Sequence, residues 1–183
     1  MTPQRTLGGL IVASCMLFSG CVSPEMNTYT GSTPEVTAKE FFTGPIKAWG
    51  IVQDWRGRVT TRFDADMFGN WDGNVGTLEE DFEFYDGKQQ RRVWTLYEAD
   101  DGSITGTAAD VLGEASGQTN GSALNLKYQM DLAVSGKTYR VKFDDWMWLM
   151  NDDVVINRAY IKKFGLTVGQ LTVFMQRQAP EGE

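Results

Sequence analysis

The chain has no histidine. That removes Ser-His-Asp and Cys-His nucleophile systems and the commonest transition-metal ligand. Cysteine is nearly as scarce. Cys15 and Cys21 are the whole supply, so neither a disulfide framework nor a thiolate metal site can form downstream of them. Positive charge is in deficit, with 17 lysines and arginines against 24 acids. A chain of net charge −7 is a poor partner for a phosphate backbone, so nucleic acid is not an expected partner. The apolar run at 7–18, "LGGLIVASCMLF", is too short to span a bilayer stably. What is present, 183 residues with 42% hydrophobic content, suffices for one globular domain with a real core.

The short apolar run follows "MTPQR", whose one cation is Arg5, and precedes "SGC". A basic head, a short apolar stretch and small residues before a cut describe a secretory signal peptide over 1–20. Ser19-Gly20 directly before Cys21 resembles the lipobox of bacterial lipoproteins, with Phe18 where leucine is usual. That resemblance implies that Cys21 is the first mature residue and is acylated, palmitate among the chains, so that the protein is held on a membrane. Val22 replaces the aspartate that retains enteric lipoproteins at the inner membrane, which implies outer-membrane delivery, facing the periplasm. Residues 21–33, small and polar with Pro24 and Gly31, are expected to form a flexible tether.

A single domain is expected over 34–183. It opens on "STPEVTAKEFFTGP", where Thr33 can cap, Pro34 fits a first helical turn and Gly44-Pro45 stops the helix, so one short helix is expected at 34–42. Beyond Pro45 the apolar pattern has period two, punctuated by "WRG", "WDGN", "YDGK", "ADDGS", "QTNGS", "VSGK" and "MNDD". Asp-Gly and Asn-Gly pairs suit tight hairpin turns, and the runs between them are rich in threonine, valine and aromatics. Nine or ten antiparallel strands in a meander result. Closing such a meander into a small lipocalin-like barrel removes its exposed edges.

The stretches "FFTGPIKAWGIVQDWRGRVTTRF", "GNWDGNVGTLEEDF", "GTAADVLGEASG", "KTYRVKFDDWMWLM" and "INRAYIKKFGLTVGQLTVF" together resemble a bacterial lipoprotein family, domain-of-unknown-function family 3833. The resemblance carries no activity. Members tend to lie near genes for fatty-acyl modification, which implies a lipid-related role. A fainter similarity is to lipocalins: "GPIKAWG" sets a glycine and a tryptophan, Trp49, at the start of the first strand. Its spacing is longer than the lipocalin motif's.

In "TLEEDFEFY", Leu78, Glu80, Phe82 and Phe84 share one face, and Glu79, Asp81, Glu83 and Tyr85 the other. With a two-residue turn at Asp86-Gly87, Asp81 would face Arg92 across the ladder as a structural ion pair. Calcium ligands usually come from folded loops, so no metal site and no cofactor is expected.

The densest cluster is "VKFDDWMWLMNDD" at 141–153. Val141 and Phe143 alternate with polar residues, and then Trp146 and Trp148 appear out of phase. A β-bulge at Asp144-Asp145 would turn Trp146, Trp148 and Met150 inward. The rival reading is an unbroken strand buried on both faces. Arg158 lies among Val154, Ile156 and Tyr160 on a largely apolar face and needs a carboxylate, either Asp145 or Asp144 or the acidic head of a ligand inside the barrel.

The expected function is non-catalytic binding of an apolar or acyl-type ligand such as a fatty acid or lipid. Trp49, Trp146, Trp148 and Arg158 are the candidate ligand residues. The alternatives are an envelope protein-protein interaction module without a cavity and, third, a carboxylate-based enzyme with Asp144 or Asp145 as first suspect.

Overall fold

The computed structural model describes residues 24–134 and 136–179; the expected signal peptide and the acylation site Cys21 lie outside them. Ten strands follow one another: β1 Gly44–Asp54, β2 Val59–Asp72, β3 Val75–Phe84, β4 Gln89–Glu98, β5 Ser103–Ala108, β6 Ala115–Asn120, β7 Ala123–Val134, β8 Lys137–Asn151, β9 Val154–Lys163 and β10 Leu166–Arg177. Each pairs antiparallel with the next, and β10 returns to β1, so the sheet is a closed lipocalin-like barrel. Alternation places Ile46, Ala48, Phe63, Ala65, Leu126, Val173 and Met175 in a common core.

One end of the barrel is covered by α1, Ala38–Phe41. This helix is shorter than the 34–42 span expected, because its cap is Thr37 and not Thr33: Thr37 Oγ1 accepts from Glu40 N at 3.0 Å. Residues before it are held extended, with Val36 N donating to Gly121 O at 2.8 Å. Glu98, at the end of β4, accepts the orphan N–H groups of Ala38 and Lys39 at 3.0 and 2.9 Å. A carboxylate at a helix N-terminus satisfies donors that have no partner in the helix itself. The helix is thus pinned to the barrel mouth, with Phe41 and Phe42 buried beneath it.

Strand β8 settles the phase question for the opposite reading to the bulge. Its ladder with β7 runs without interruption from Ala123↔Trp148 to Val134↔Lys137, so there is no bulge at Asp144-Asp145. The irregularity lies further on, between Leu149 and Asn151 against β9. Val141, Phe143, Asp145 and Met147 therefore share the inner face, while Asp144, Trp146 and Trp148 share the outer one. The outer face is buried too, because a layer of chain lies over it. A 3-10 turn, Met26–Tyr29, brings the Tyr29 ring to 6.0 Å from Trp146. Asn120 Nδ2 donates to Met26 O at 3.2 Å and to Thr30 Oγ1 at 2.8 Å, and Ser122 N donates to Ser32 Oγ at 2.9 Å. Much of the segment expected as a tether lies against the barrel wall.

Gly69 of β2 sits where α1 ends, and a Cβ there would overlap the carbonyl oxygen of Phe42. Gly69→Ala is expected to lower stability by about 1–3 kcal/mol through overpacking, read as a drop in Tm. An unchanged Tm would mean that α1 is not seated on β2.

Candidate functional site

The barrel interior is incompletely filled. A cavity of about 110 Å³ lies inside it, walled by apolar side chains that include Phe63, Phe82, Trp94, Leu126 and Met175, with Ala38 and Phe42 of the α1 end closing it. The wall also carries a polar group of five, Glu80, Arg92, Tyr128, Asp145 and Asn157.

Strands β3 and β4 supply the first two. Glu80 stands on the face of Leu78 and Phe82, and the ladder sets it directly opposite Arg92. Arg92 Nη1 approaches Glu80 Oε2 at 3.4 Å, and its Nε and Nη2 engage Asp110 at 3.0 and 2.8 Å. The guanidinium also lies over the Phe82 ring, 5.5 Å from its centroid. Strands β7, β8 and β9 supply the rest. Tyr128 Oη donates to Asp145 Oδ2 at 3.2 Å, and the Asn157 amide donates to Asp145 Oδ1 and to Trp146 O. The Tyr128 ring stacks on Phe143 at 4.9 Å and meets Trp94 edge-on at 5.4 Å, which fixes where its hydroxyl points.

Burial dominates the ionisation of these acids. It pushes the Glu80 carboxyl up to about 7 despite the charge of Arg92, with Asp145 adding to the rise. It pushes Asp145 up to about 6 against the stabilising bonds from Asn157 and Tyr128. Desolvation also raises the Tyr128 phenol well above its ordinary value. For Arg92, burial alone would lower the pKa, but the Asp110 hydrogen bond and the Glu80 charge outweigh it. The interior thus keeps one permanent cation beside carboxyls that change charge near neutrality.

Several expected positions stand elsewhere. Trp49 is on the outer face, 39% exposed, with its ring 5.8 Å from Phe174. Trp146 and Trp148 stack on each other at 6.2 Å outside the barrel, and the Trp146 indole donates to Asp144 Oδ1 at 3.0 Å. None of the three lines the cavity. Arg158 faces outward and is exposed, because the inner face of β9 is Val155, Asn157, Ala159 and Ile161 rather than the even-numbered set. It stands opposite Trp146 in the ladder, and Asp145 stands opposite Ala159, so the Asp-Arg158 pair does not form. Asp144 pairs with Lys162 at 2.6 Å and accepts from Asn125 at 3.0 Å. Burial would raise its pKa, and those two bonds more than reverse the effect.

Asp81 and Arg92 are also not partners. Phe84 N donates to Lys88 O around the β3–β4 turn, which is one residue longer than the two-residue turn expected, with Gly87 at φ 85°. The ladder moves by one, so Asp81 meets Arg91 at 3.3 Å on the outer face and Arg92 turns inward. The missed residues did leave a sequence signal: Glu80 alternates with Leu78 and Phe82, and Arg92 with Trp94 and Leu96.

Removing the guanidinium strands two carboxyls. Arg92→Met is expected to lower stability by about 3 kcal/mol, whereas Arg158→Ala should stay within about 0.5 kcal/mol in the same denaturant titration. Similar losses at both positions would refute the assignment of Arg92 to the interior. The pH dependence has a defined sign. A carboxyl whose folded pKa is raised binds more protons folded than unfolded, so its contribution is full at low pH. For Asp145 and Glu80 it is complete below their ordinary values of 3.8 and 4.5 and is lost as pH rises through about 6 and 7. Tm should therefore fall from pH 5 to pH 8, and Glu80→Gln should flatten that fall.

The barrel is similar to a solved structure, the S-type phycobiliprotein lyase CPES from Guillardia theta, at TM-score 0.51 and 10% identity. The match covers 79% of this chain and 95% of that one, and at such identity it speaks for the fold alone. No curated protein sequence matches the chain. The family model described as protein of unknown function (DUF3833) matches residues 15–177, and the chain belongs to that family.

Proposed function

We propose that this is a non-catalytic binding protein whose barrel takes the apolar part of a small ligand, an acyl chain end or a compact ring, and that acyl chains on Cys21 hold it at the periplasmic face of a bacterial outer membrane. The observation that carries the binding reading is the cavity, an apolar space of about 110 Å³ with a satisfied polar group on its wall. Apolar cavities of roughly 150 Å³ stay dry and take up benzene-sized molecules, so the closed barrel suits a ligand portion near that size. Ligand pockets for larger molecules run to about 300 Å³ and more. Entry of a longer chain requires α1 to lift from the mouth, since Ala38 and Phe42 form part of the cavity wall. The anchor reading rests on the sequence around Cys21.

The polar wall narrows the ligand class. Asp110, Glu80 and Asp145 set three carboxyls against the single guanidinium of Arg92, whose donors Asp110 and Glu80 already occupy. A free fatty-acid carboxylate would meet net negative charge there. A hydroxyl, amide or amine head would meet acceptors. An uncharged or donor-headed amphiphile is therefore favoured over the fatty acid expected from the sequence, whose acidic head was to meet Arg158.

Intact-mass and native mass spectrometry on protein purified gently from its own envelope test both halves. The mature chain should carry the added mass of acyl groups on Cys21, and a co-purifying lipid should dissociate on activation. Ala65→Leu, which fills the cavity wall, should lose that lipid and keep the barrel's circular dichroism. A fatty alcohol should bind more tightly than the fatty acid of equal length, with the gap widening as pH rises through the range where Glu80 and Asp145 ionise. Absence of any bound lipid in the wild-type protein counts against the binder; an unacylated Cys21 counts against the anchor.

A further inference from the structure

Of the five connections at the end of the barrel away from α1, three adjacent hairpins differ from those beside it. Around the ring, β2, β1, β10, β9, β8 and β7 are neighbours, so the β1–β2, β9–β10 and β7–β8 hairpins stand side by side on this rim. Their tips carry large apolar side chains in solvent: Trp55 is 68% exposed, Phe164 93% and Leu166 71%. Cations are interleaved with them. Segments 53–59, 134–142 and 160–168 hold two, three and two lysines or arginines, seven together; of these, Arg58, Arg140 and Lys162 pair with Asp54, Asp131 and Asp144. At the α1 end the turn segments 72–75, 98–103, 120–123 and 151–154 hold one, three, none and two acids and no lysine or arginine. The basic character is confined to the β7–β8, β9–β10 and β1–β2 side of this rim, since the β3–β4 and β5–β6 connections at the same end, 84–89 and 108–115, hold Asp86, Asp110 and Glu114 against Lys88.

Phe164 marks this side of the rim as built rather than incidental. It is the one non-glycine residue with positive φ among those described, at 51°. A bulky side chain is an outlier in that region, where glycine or asparagine is the usual occupant. Core packing does not explain its presence, because its ring is almost wholly in solvent. Lys163 Nζ stands 4.1 Å from the Tyr139 ring and 5.4 Å from the Phe164 ring, and the Arg56 guanidinium stands 4.4 Å from the Trp55 ring. Aromatic rings at hairpin tips with cations at their bases match the two layers of a bilayer surface, acyl chains below and anionic headgroups above.

We propose that this rim docks on a lipid bilayer bearing anionic headgroups, with Trp55, Phe164 and Leu166 entering the interfacial layer and Arg56, Arg58, Lys137 and Lys163 meeting the headgroups. The contact is peripheral in that it is made by the hairpin tips alone. It is also separate from any acyl chain on Cys21, since such an anchor sets no orientation for Trp55. Docking this way turns the α1-covered mouth away from the lipid.

The test uses the full chain reconstituted in phosphatidylcholine vesicles with or without phosphatidylglycerol, and reads quenching of tryptophan fluorescence by acyl-chain-brominated lipid. Quenching should be strong with phosphatidylglycerol, several-fold weaker without it, and reduced by high salt. Trp55→Phe should remove most of the quenchable signal, because the other tryptophans lie away from this rim. Phe164→Asn relieves the positive φ, so it should hold or raise Tm while reducing Trp55 quenching several-fold. The proposal is overturned by equal quenching in Trp55→Phe, by indifference to phosphatidylglycerol, or by a Phe164→Asn protein that quenches like wild type. A concentration-dependent dimer in the absence of vesicles, lost in Phe164→Asn, would instead assign the rim to a second copy of the chain.

Discussion

The pairing of β1 with β10 is the contact on which the rest depends. Nine residue pairs, from Ile46↔Arg177 to Asp54↔Gly169, join the two ends of the meander and leave no free edge. Once the sheet is closed, every strand has one face toward a shared interior and one face outward. Closure also limits how much the interior can shrink. Ten strands enclose more space than the side chains on their inner faces fill, and α1 with Phe41 and Phe42 takes up part of the excess at one mouth. The cavity is what the strand count and the side-chain volumes leave over.

Closure converts a register question into a question of inside or outside. Asp144 and Asp145 are adjacent in sequence and buried to the same degree, 6% exposed each, yet they occupy different environments. Asp145 faces the interior, where apolar walls push its carboxyl toward neutrality. Asp144 faces the outer layer, where Lys162 and Asn125 hold it charged. That outer layer exists because residues 26–32 fold back over β6, β7 and β8 and enclose Trp146. Part of what reads in sequence as a linker therefore belongs to the packed body of the protein.

The interior polar group is costly to build and is placed accordingly. Arg92 is satisfied by Asp110 and Glu80, Asp145 by Tyr128 and Asn157, and among the described residues no buried side-chain nitrogen or oxygen lacks a partner. Buried charge in an apolar wall is tolerated only with such pairing, and the arrangement specifies orientation more than it adds stability. For a ligand it presents acceptors at one place on an otherwise apolar wall. The outside of the barrel carries a different polarity, acids in the turns around α1 and cations with exposed aromatics on the β7–β8, β9–β10 and β1–β2 side of the opposite rim.

The strand count, the short helix near residue 40 and the closed antiparallel fold were legible in the sequence, because period-two alternation and Asp-Gly or Asn-Gly turns are local properties. The inner position of Glu80 was legible too, from its place between Leu78 and Phe82. Ladder registers were not. A β3–β4 turn one residue longer than assumed moved Arg92 from Asp81 to Glu80, and a phase assigned to β9 from Val154, Ile156 and Tyr160 sent Arg158 to the wrong side. The pattern at Trp146 and Trp148 was misread for a related reason: alternation reports burial, and burial on the outer face came from a distant segment that periodicity cannot see. The sequence by itself determined that a barrel forms and roughly where most of its turns fall. Only the tertiary structure decided which polar residues meet inside it, because a one-residue difference in a turn exchanges the two faces of a strand at no local cost.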